Sequence, residues 1–190
     1  MRTAARTAAL AAALLVGLSA TQAHAAHGAN LVDNGTFTEP GVLNGGENYK
    51  AFNWDSDDKI PGWAIIRGEV HIFSRTLSGL EHFQAANLSG GAPATLTQAV
   101  DTVPGLEYKL SWQDHTETHS SCKDIDGERQ RYSVTVSGTR SEESFTPKTH
   151  WRGRDVFFTA GQDDTVLTFH SNSQVANCGA LISRVSVRQA

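Results

Sequence analysis

Apolar and polar residues alternate with a period of two along much of this chain. Segments 106–112 and 131–136 each place leucine, valine or an aromatic residue at every second position, with charged or small polar residues between them. Near the C-terminus, Leu181, Val185 and Val187 share one face in the same way. Because successive side chains of a strand point to opposite faces, this pattern predicts strands with one face on a core and one toward water.

Further segments of the chain have strand composition, and turn residues such as Pro61-Gly62 and Pro104-Gly105 separate them. Helical periodicity is almost absent after residue 26, and neither an internal repeat nor a second composition regime is present. About ten short strands without intervening helices predict a single all-β domain, a β-sandwich or barrel. The additional predicted strands are Asn30–Phe37, Trp63–Ile66, Glu69–Phe73, Gln84–Leu88, Ala94–Val100, Asp155–Thr159 and Thr165–His170.

The N-terminus has the three parts of an export signal. Arg2 and Arg6 precede an uncharged stretch rich in alanine and leucine, and Ala23-His24-Ala25 supplies small residues where a signal peptidase cleaves. We therefore predict a signal peptide over residues 1–25 and a single domain over residues 26–190. The stretch is too short and too mildly apolar to serve as a membrane anchor.

The charge of the chain predicts its class of partner. Removal of Arg2 and Arg6 from the 16 basic residues leaves 14 against 20 acidic ones, so the formal charge falls from −4 to −6. An acidic chain without a run of lysine or arginine argues against nucleic acid and against an anionic membrane surface. No later apolar run reaches membrane-spanning length, so we expect no membrane anchor and a secreted protein, extracellular or associated with a cell wall.

Both cysteines, Cys122 and Cys178, lie in the part of the chain predicted to be exported. A disulfide is the usual state of such a pair in an oxidising compartment. The bond would close a loop of about 57 residues, worth roughly 4 kcal/mol in the loop-entropy model. Two free thiols or half of a metal site are the alternatives, and no further cysteines support them.

A long polar segment, Thr38–Lys59, interrupts the strand rhythm and contains Tyr49, Phe52 and Trp54 among asparagines and aspartates. Long loops in compact domains are often functional. Exposed aromatic rings stack on the apolar faces of sugars, while nearby polar side chains bind the hydroxyls. These three residues, and Trp151 between His150 and Arg152, are therefore candidate ligand-binding residues. The alternative is that the aromatic residues fold back as a plug over the core.

His115, Glu117 and His119 would lie on one face if the strand containing Trp112 continued through them. Two imidazoles and a carboxylate suit zinc or another transition metal. The alternative is a solvated strand end. The chain has neither a Gly-x-Ser-x-Gly elbow nor a phosphate-binding glycine loop, so its motifs do not indicate an enzyme.

The order and spacing of several short motifs resemble a known pair of families. The motifs are Asn30-Leu31-Val32-Asp33-Asn34-Gly35-Thr36-Phe37, Ile60-Pro61-Gly62-Trp63, Gly68-Glu69-Val70-His71-Ile72, Asn87-Leu88-Ser89-Gly90, Thr97-Gln98-Ala99-Val100, Pro104-Gly105-Leu106-Glu107-Tyr108 and Cys178-Gly179-Ala180-Leu181-Ile182. Over residues 29–188 the chain resembles the bacterial choice-of-anchor C domains and a related plant cell-wall family of unknown function. The resemblance implies a galactose-binding-like jelly roll and a non-catalytic, wall-associated or polysaccharide-binding role.

Related carbohydrate-binding jelly rolls often hold a structural calcium ion, so the resemblance raises the question of a cofactor. Thr38 stands where the first acidic ligand would be, although Glu39 is adjacent, and Ser183 and Arg184 stand where an Asp pair would be. Calcium prefers several hard oxygen ligands, and an arginine beside it is unfavourable. We therefore expect no calcium and no other cofactor.

Three functional hypotheses follow from the sequence. The first is a secreted, non-catalytic protein that binds a polysaccharide or a cell-wall glycan. The second is a structural or adhesive extracellular protein with a protein partner. The third is a small metal-dependent hydrolase built on the His115 face.

Overall fold

Two antiparallel β-sheets pack face to face in the computed structural model, which describes residues 28–43, 48–139 and 142–190. The predicted signal peptide therefore lies outside the described residues. The strands are β1 (Tyr49–Asn53), β2 (Ala64–Arg67), β3 (Glu69–Phe73), β4 (Ala85–Asn87), β5 (Thr95–Asp101), β6 (Glu107–Thr116), β7 (Tyr132–Val136), β8 (Glu142–Phe145), β9 (Arg152–Thr159), β10 (Asp164–Ser171) and β11 (Ala180–Gln189). One short helix, α1 (Arg75–Ser78), and two 3-10 turns, Ser120–Cys122 and Gly127–Gln130, complete the described elements.

The strand order is β1-β3-β4-β11-β6-β9 in the six-stranded sheet and β2-β5-β10-β7-β8 in the five-stranded sheet. All pairings within these sheets are antiparallel. The fold is thus an all-β jelly-roll sandwich, as the sequence predicts. No helix in the described part of the chain has the length and apolar character needed to cross a membrane.

The core lies between the two sheets and follows the alternating pattern. Tyr108, Leu110 and Trp112 of β6 are buried on one side of it, and Leu167 and Phe169 of β10 face them from the other sheet. The ring of Trp112 meets that of Phe169 edge to face, at 5.5 Å between centroids. Full burial of each such side chain contributes about 1.5–3 kcal/mol, so the inner face of each strand determines its orientation.

The strand prediction for Asn30–Phe37 is wrong. Residues 33–36 form turns, and Asn34 and Phe37 have positive φ angles of 47° and 54°. The chain approaches β11 closely here, because a Cβ at Gly35 would lie 2.0 Å from the carbonyl oxygen of Val185. A turn with αL geometry at Asn34 and Phe37 therefore replaces the extended strand that the apolar residues suggest, and Gly35 permits the close approach to β11.

The interpretation of Thr38–Lys59 as one loop also needs correction, because β1 runs from Tyr49 to Asn53 inside it. It pairs antiparallel with β3, with Tyr49 opposite Phe73 and Asn53 opposite Glu69. This strand is the edge of the six-stranded sheet and has a single buried residue, Phe52. A short edge strand with one buried position shows too little alternation to be recognised.

The predicted disulfide is confirmed. Cys122 and Cys178 are bonded, with their Cα atoms 5.5 Å apart and a sequence separation of 56. Both cysteines are buried. The bond ties the 3-10 turn after β6 to the segment that leads into β11, two strands that are already neighbours in the sheet.

A smaller apolar cluster covers part of the outer face of the six-stranded sheet. Phe73, Leu80, Ala85 and Leu181 are buried there. Helix α1 lies over them and is capped at its start by Ser74, whose hydroxyl accepts a hydrogen bond from the backbone N–H of Leu77 at 3.3 Å. This cover leaves the rest of the outer face as an open surface.

Candidate functional site

The four candidate aromatic residues do not form one platform. Trp54 follows the last residue of β1 and is 62% exposed, whereas Tyr49 begins the same strand at its opposite end. The prediction that Phe52 binds a ligand is wrong, because its side chain is 1% exposed and belongs to the core. The ammonium group of Lys50 lies over the Phe52 ring at 5.2 Å and closes it off from solvent. Phe52 is therefore unable to stack on a ligand.

Trp151 has a structural contact instead of an open ring. Its indole N–H donates to the carbonyl oxygen of Ser78 at 3.0 Å, and its ring tilts against His115 at 5.3 Å between centroids. It is half-buried against the apolar cluster on the outer face. The residue holds the end of α1 on the sheet and lies apart from Trp54.

Trp54 borders a depression of about 400 Å³ at the end of β1. Ile60 and Trp63, both buried, are among its apolar residues. The indole N–H of Trp63 donates to the carbonyl oxygen of Asn34 at 3.3 Å, and its ring packs against Phe37 at 5.3 Å. One ring therefore belongs to the rigid core, while the other projects into solvent.

The polar side of the depression is the short loop after β1. Ser56 organises it: its hydroxyl donates to the carbonyl oxygens of Asn53 at 3.2 Å and Asp58 at 2.7 Å, and its own carbonyl accepts from Lys59 Nζ at 2.5 Å. The Asp58 carboxylate is 68% exposed and pairs with Lys50 at 2.8 Å. Asn53, Asp58 and Lys59 all line the depression, so amide, carboxylate and ammonium groups surround the exposed ring.

A second depression, of about 500 Å³, adjoins the first. The two share Lys59, Ile60, Trp63 and Ala64, and the second continues onto the outer face of the five-stranded sheet at Thr97, Ala99 and Val166. Strand pairing produces this continuity, because Ala64 of β2 lies opposite Thr97 of β5. We call the whole feature, from Trp54 to Val166, the Trp54 groove.

Sequence reasoning missed the β2 and β5 part of the Trp54 groove. Thr97 and Ala99 alternate with the buried Leu96, Gln98 and Val100, so their outward position could be read from the sequence. Their proximity to Trp54 could not, since it depends on the pairing of β2 with β5 and on the course of the 54–63 segment.

His115, Glu117 and His119 do not share a solvent-facing surface. Strand β6 ends at Thr116, and Glu117 turns inward to a side-chain exposure of 2%. The ring of His119 bonds Glu117 through Nδ1 at 2.9 Å, and that of His115 contacts Trp151. Among the described residues, no group of three or more His, Cys, Asp or Glu side chains is arranged to hold a metal ion.

Burial raises the pKa of the Glu117 carboxyl, because desolvation disfavours its charged form. The backbone N–H and the ring of His119 oppose that shift by donating to the carboxylate or placing positive charge beside it. Glu117 is thus a buried acidic group whose ionisation depends on what lies next to it.

The residues near Thr38 and Ser183 do not fit a calcium ion. Gln84, which is 3% exposed, bridges the two segments. Its side-chain amide N–H groups donate to the carbonyl oxygens of Phe37 and Pro40, and its side-chain oxygen accepts from Val42 N–H at 2.6 Å. Ser183 donates its hydroxyl to the Gln84 carbonyl at 2.6 Å. An amide donor therefore meets the carbonyl oxygens that a cation would need.

Arg184 also makes this region unfavourable for a calcium ion. It is exposed and lies over the ring of Phe83 at 4.6 Å, so it places a positive charge beside the segment where an acidic ligand would be required.

The family model described as "Protein of unknown function (DUF642)" matches residues 30–188. This agrees with the resemblance to a family of unknown function, while the choice-of-anchor C resemblance stays a prediction. No curated protein sequence matches the chain significantly.

Solved structures share the fold at low sequence identity. The enzymatically active domain of tailspike protein 4 of bacteriophage CBA120 superposes with a TM-score of 0.51 at 12% identity, over 85% of this chain and 21% of the tailspike chain. An arabinose-bound α-L-arabinofuranosidase, MgGH51, gives 0.50 at 13% identity, over 85% and 26%. The chain thus spans about a fifth to a quarter of these two proteins. A structure named "CBM4 structure and function" gives 0.49 at 12% identity, over 84% of this chain and 99% of that one.

Proposed function

From the premise that this chain belongs to the DUF642 family, we propose that it is a secreted, non-catalytic protein that binds an extracellular polysaccharide or cell-wall glycan in the Trp54 groove. The proposal places the protein outside the cell, extracellular or at the wall. The disulfide supports that location, because such bonds persist in oxidising compartments.

The exposed indole of Trp54 is the observation that carries the proposal. The Trp54 ring is 62% open to solvent beside a polar loop, so it is accessible for stacking on a ligand. Pyranose rings are apolar on their faces and polar at their edges, so they match an aromatic surface bordered by Asn53, Asp58 and Lys59.

The length of the groove favours a chain over a single sugar. Two adjoining depressions of about 400 and 500 Å³ run from Trp54 across β2 to Thr97, Ala99 and Val166. Single ligand pockets have about 300–1,000 Å³, so the pair is large enough for several linked rings. We therefore expect oligosaccharides to bind more tightly than their monosaccharides.

The two other functional hypotheses have less support. The hydrolase lacks the metal-ligand group on which it depends within the described part of the chain. The adhesive protein would use exposed apolar residues, and Phe157 on edge strand β9 is one of them. Lys109 covers part of this ring, with its ammonium group 5.7 Å from the ring centroid.

The test is a glycan array with a pull-down on insoluble polysaccharides, followed by titration of a positive oligosaccharide. Trp54→Ala should weaken binding by about tenfold or more, since burial of roughly 60–100 Å² of indole is worth ~1.5–2.5 kcal/mol. The melting temperature should stay nearly unchanged, because Trp54 is exposed.

Phe157→Ala is the matched control. It removes an aromatic ring of similar exposure, 67%, from a strand at the opposite edge of the sheet. Binding should persist in this variant. Equal loss in both variants, or full binding by Trp54→Ala, would place the site elsewhere. Absence of polysaccharide binding by the wild-type protein would overturn the function itself in favour of the adhesive hypothesis.

A further inference from the structure

A separate cavity, of about 240 Å³, lies on the outer face of the six-stranded sheet, at the Tyr49 end of β1. It shares no lining residue with the Trp54 groove. Aromatic, apolar and acidic residues from β1, β3, α1 and the segment after β6 meet there: Tyr49, His71, Phe73, Leu77, Glu117 and His119.

Glu117 is the charged group of this cavity. Its Oε1 accepts from the backbone N–H of His119 at 2.6 Å and lies 2.9 Å from Nδ1 of the same residue. Its Oε2 has one longer contact, 3.4 Å from Asn87 Nδ2. A carboxylate oxygen accepts about two hydrogen bonds, so Oε2 retains capacity for a ligand donor.

The backbone of Glu117 is held firmly. Its N–H donates to Gln130 Oε1 at 2.7 Å, and its carbonyl accepts from Gln130 Nε2 at 2.9 Å. The buried carboxylate is therefore fixed in position before any ligand arrives, which lowers the entropic cost of binding.

The walls of the cavity favour positive charge. The rings of Tyr49 and His71 stack at 4.4 Å between centroids, and Phe73 meets His119 edge to face at 6.2 Å. His71 Nε2 lies 2.8 Å from the carboxylate of Glu69, so a second acid stands behind that ring. Within the described part of the chain, neither lysine nor arginine lines the cavity. Aromatic faces and carboxylates attract a cation.

We propose that this cavity binds the protonated amino group of an amino sugar, with the ammonium donating to Glu117 Oε2 and the ring against Tyr49. The assignment of a sugar, as distinct from another amine, rests on the proposed function. The volume, below the ~300–1,000 Å³ of drug-sized pockets, suits a single ring. Ser121 and Asn177 border the same cavity, and their side chains supply hydrogen-bonding groups for hydroxyls.

A bound cation would also offset the cost of burying the Glu117 carboxylate in its charged form. Burial disfavours its charged form, and His119, which is 44% exposed, is its one ion-pair partner in the described chain. An ammonium group beside the carboxylate would stabilise the ionised form. The neutral N-acetyl sugar would lose that interaction and would add an acetyl group to a small cavity.

The test is a ligand titration by NMR at near-neutral pH, with glucosamine, N-acetylglucosamine and glucose as probes. Glucosamine should bind at least about tenfold more tightly than either neutral sugar, because a charge-assisted hydrogen bond is lost in both. Glu117→Gln should remove this preference while keeping the shape of the side chain. Glu128→Gln, which neutralises an exposed carboxylate (66% exposed), is the matched control and should retain it.

Several outcomes would overturn the proposal. These are equal binding of glucosamine and N-acetylglucosamine, unchanged selectivity in a folded Glu117→Gln protein, or no glucosamine binding by the wild type. Equally tight binding of a lysine side-chain analogue, Nα-acetyl-lysine methylamide, would overturn the amino-sugar assignment. Trp54→Ala should keep glucosamine binding, so failure at this cavity and failure of the Trp54 groove are separable results.

Discussion

A buried polar network joins the two sheets, and removal of one hydroxyl should weaken the whole sandwich. Tyr132 of β7 accepts from the indole N–H of Trp112 at 2.7 Å and donates to Asp114 Oδ2 at 2.9 Å, both on β6. Arg154 of β9 binds the same carboxylate oxygen at 2.9 Å and donates to the carbonyl oxygen of Thr146 at 2.7 Å. Asp114 and Tyr132 are fully buried, so water cannot replace these partners.

The change is Tyr132→Phe, which leaves the ring and removes the hydroxyl. The change leaves the buried Trp112 N–H without an acceptor, which costs about 1–3 kcal/mol of stability. It also removes a hydrogen bond to the buried Asp114 carboxylate, which contributes ~1.5–3 kcal/mol. Non-additivity within one network makes about 3 kcal/mol a reasonable total. For a chain of this size the melting temperature falls about 2–4 °C per kcal/mol, so we expect a decrease of roughly 6–12 °C.

Alkaline pH supplies a second signature. Burial, followed by the negative charge of Asp114, raises the pKa of Tyr132 well above its usual 10. The hydroxyl thus stays protonated in the folded protein at pH values where the unfolded chain ionises it. Its contribution to the free energy of unfolding is complete below about pH 10 and falls by ~1.4 kcal/mol per pH unit above that. The difference between wild type and Tyr132→Phe should therefore narrow as the pH rises through 10.

Urea denaturation of both proteins at pH 7 and above pH 10 measures both effects. Tyr49→Phe serves as control, since it removes a hydroxyl from a half-buried ring on the outer face of the sheet. A loss below about 0.5 kcal/mol at pH 7, or one equal to that of the control, would show that the network does not hold the sheets together. A difference that stays constant above pH 10 would refute the account of the Tyr132 pKa.

Three further predictions concern the disulfide and the Gln84 bridge. Reduction of Cys122–Cys178 should destabilise the protein by ~4 kcal/mol, measured by urea denaturation with and without reductant, and an unchanged midpoint would contradict this. Thermal melts in calcium and in chelator should superimpose, because Gln84 occupies the position between the two segments; a rise of several degrees with calcium would refute it. Gln84→Ala should lower stability by about 2–4 kcal/mol in urea denaturation, since it removes the donor to the buried Phe37 carbonyl and to the partly buried Pro40 carbonyl, and an unchanged midpoint would contradict this.

Alternation revealed those parts of the fold in which one strand face is buried. The sequence predicts β3 as Glu69–Phe73, and the strand has those bounds. β7 lies within the predicted alternating segment 131–136, whereas β6 continues four residues past the end of segment 106–112. β1 was missed because edge position leaves it one buried residue, and Asn30–Phe37 was misassigned because apolar composition does not report a positive φ. A strand with one buried face can be predicted from alternation in the sequence, whereas a strand with little burial cannot.

The candidate site was only partly predictable, for a different reason. Trp54 was identified from its place in a polar segment, and that segment does border the Trp54 groove. The remainder of the groove comes from Thr97, Ala99 and Val166, which strand pairing brings together from distant parts of the chain. Composition can suggest an aromatic ligand contact, but a single sequence contains no direct record of which strands are neighbours.

The point at which β6 ends decides between two functional hypotheses for Glu117. Continued alternation after Trp112 would have carried Glu117 to solvent beside His115 and His119, as a metal site requires. Strand β6 instead ends at Thr116. Two hydrogen bonds between the Glu117 backbone and the Gln130 side chain then hold this residue where its carboxylate is buried. There it meets Tyr49, which the position of β1 has separated from Trp54. The same residue types thus create a buried acid with aromatic walls, and the chemistry changes from metal ligation to recognition of a cation.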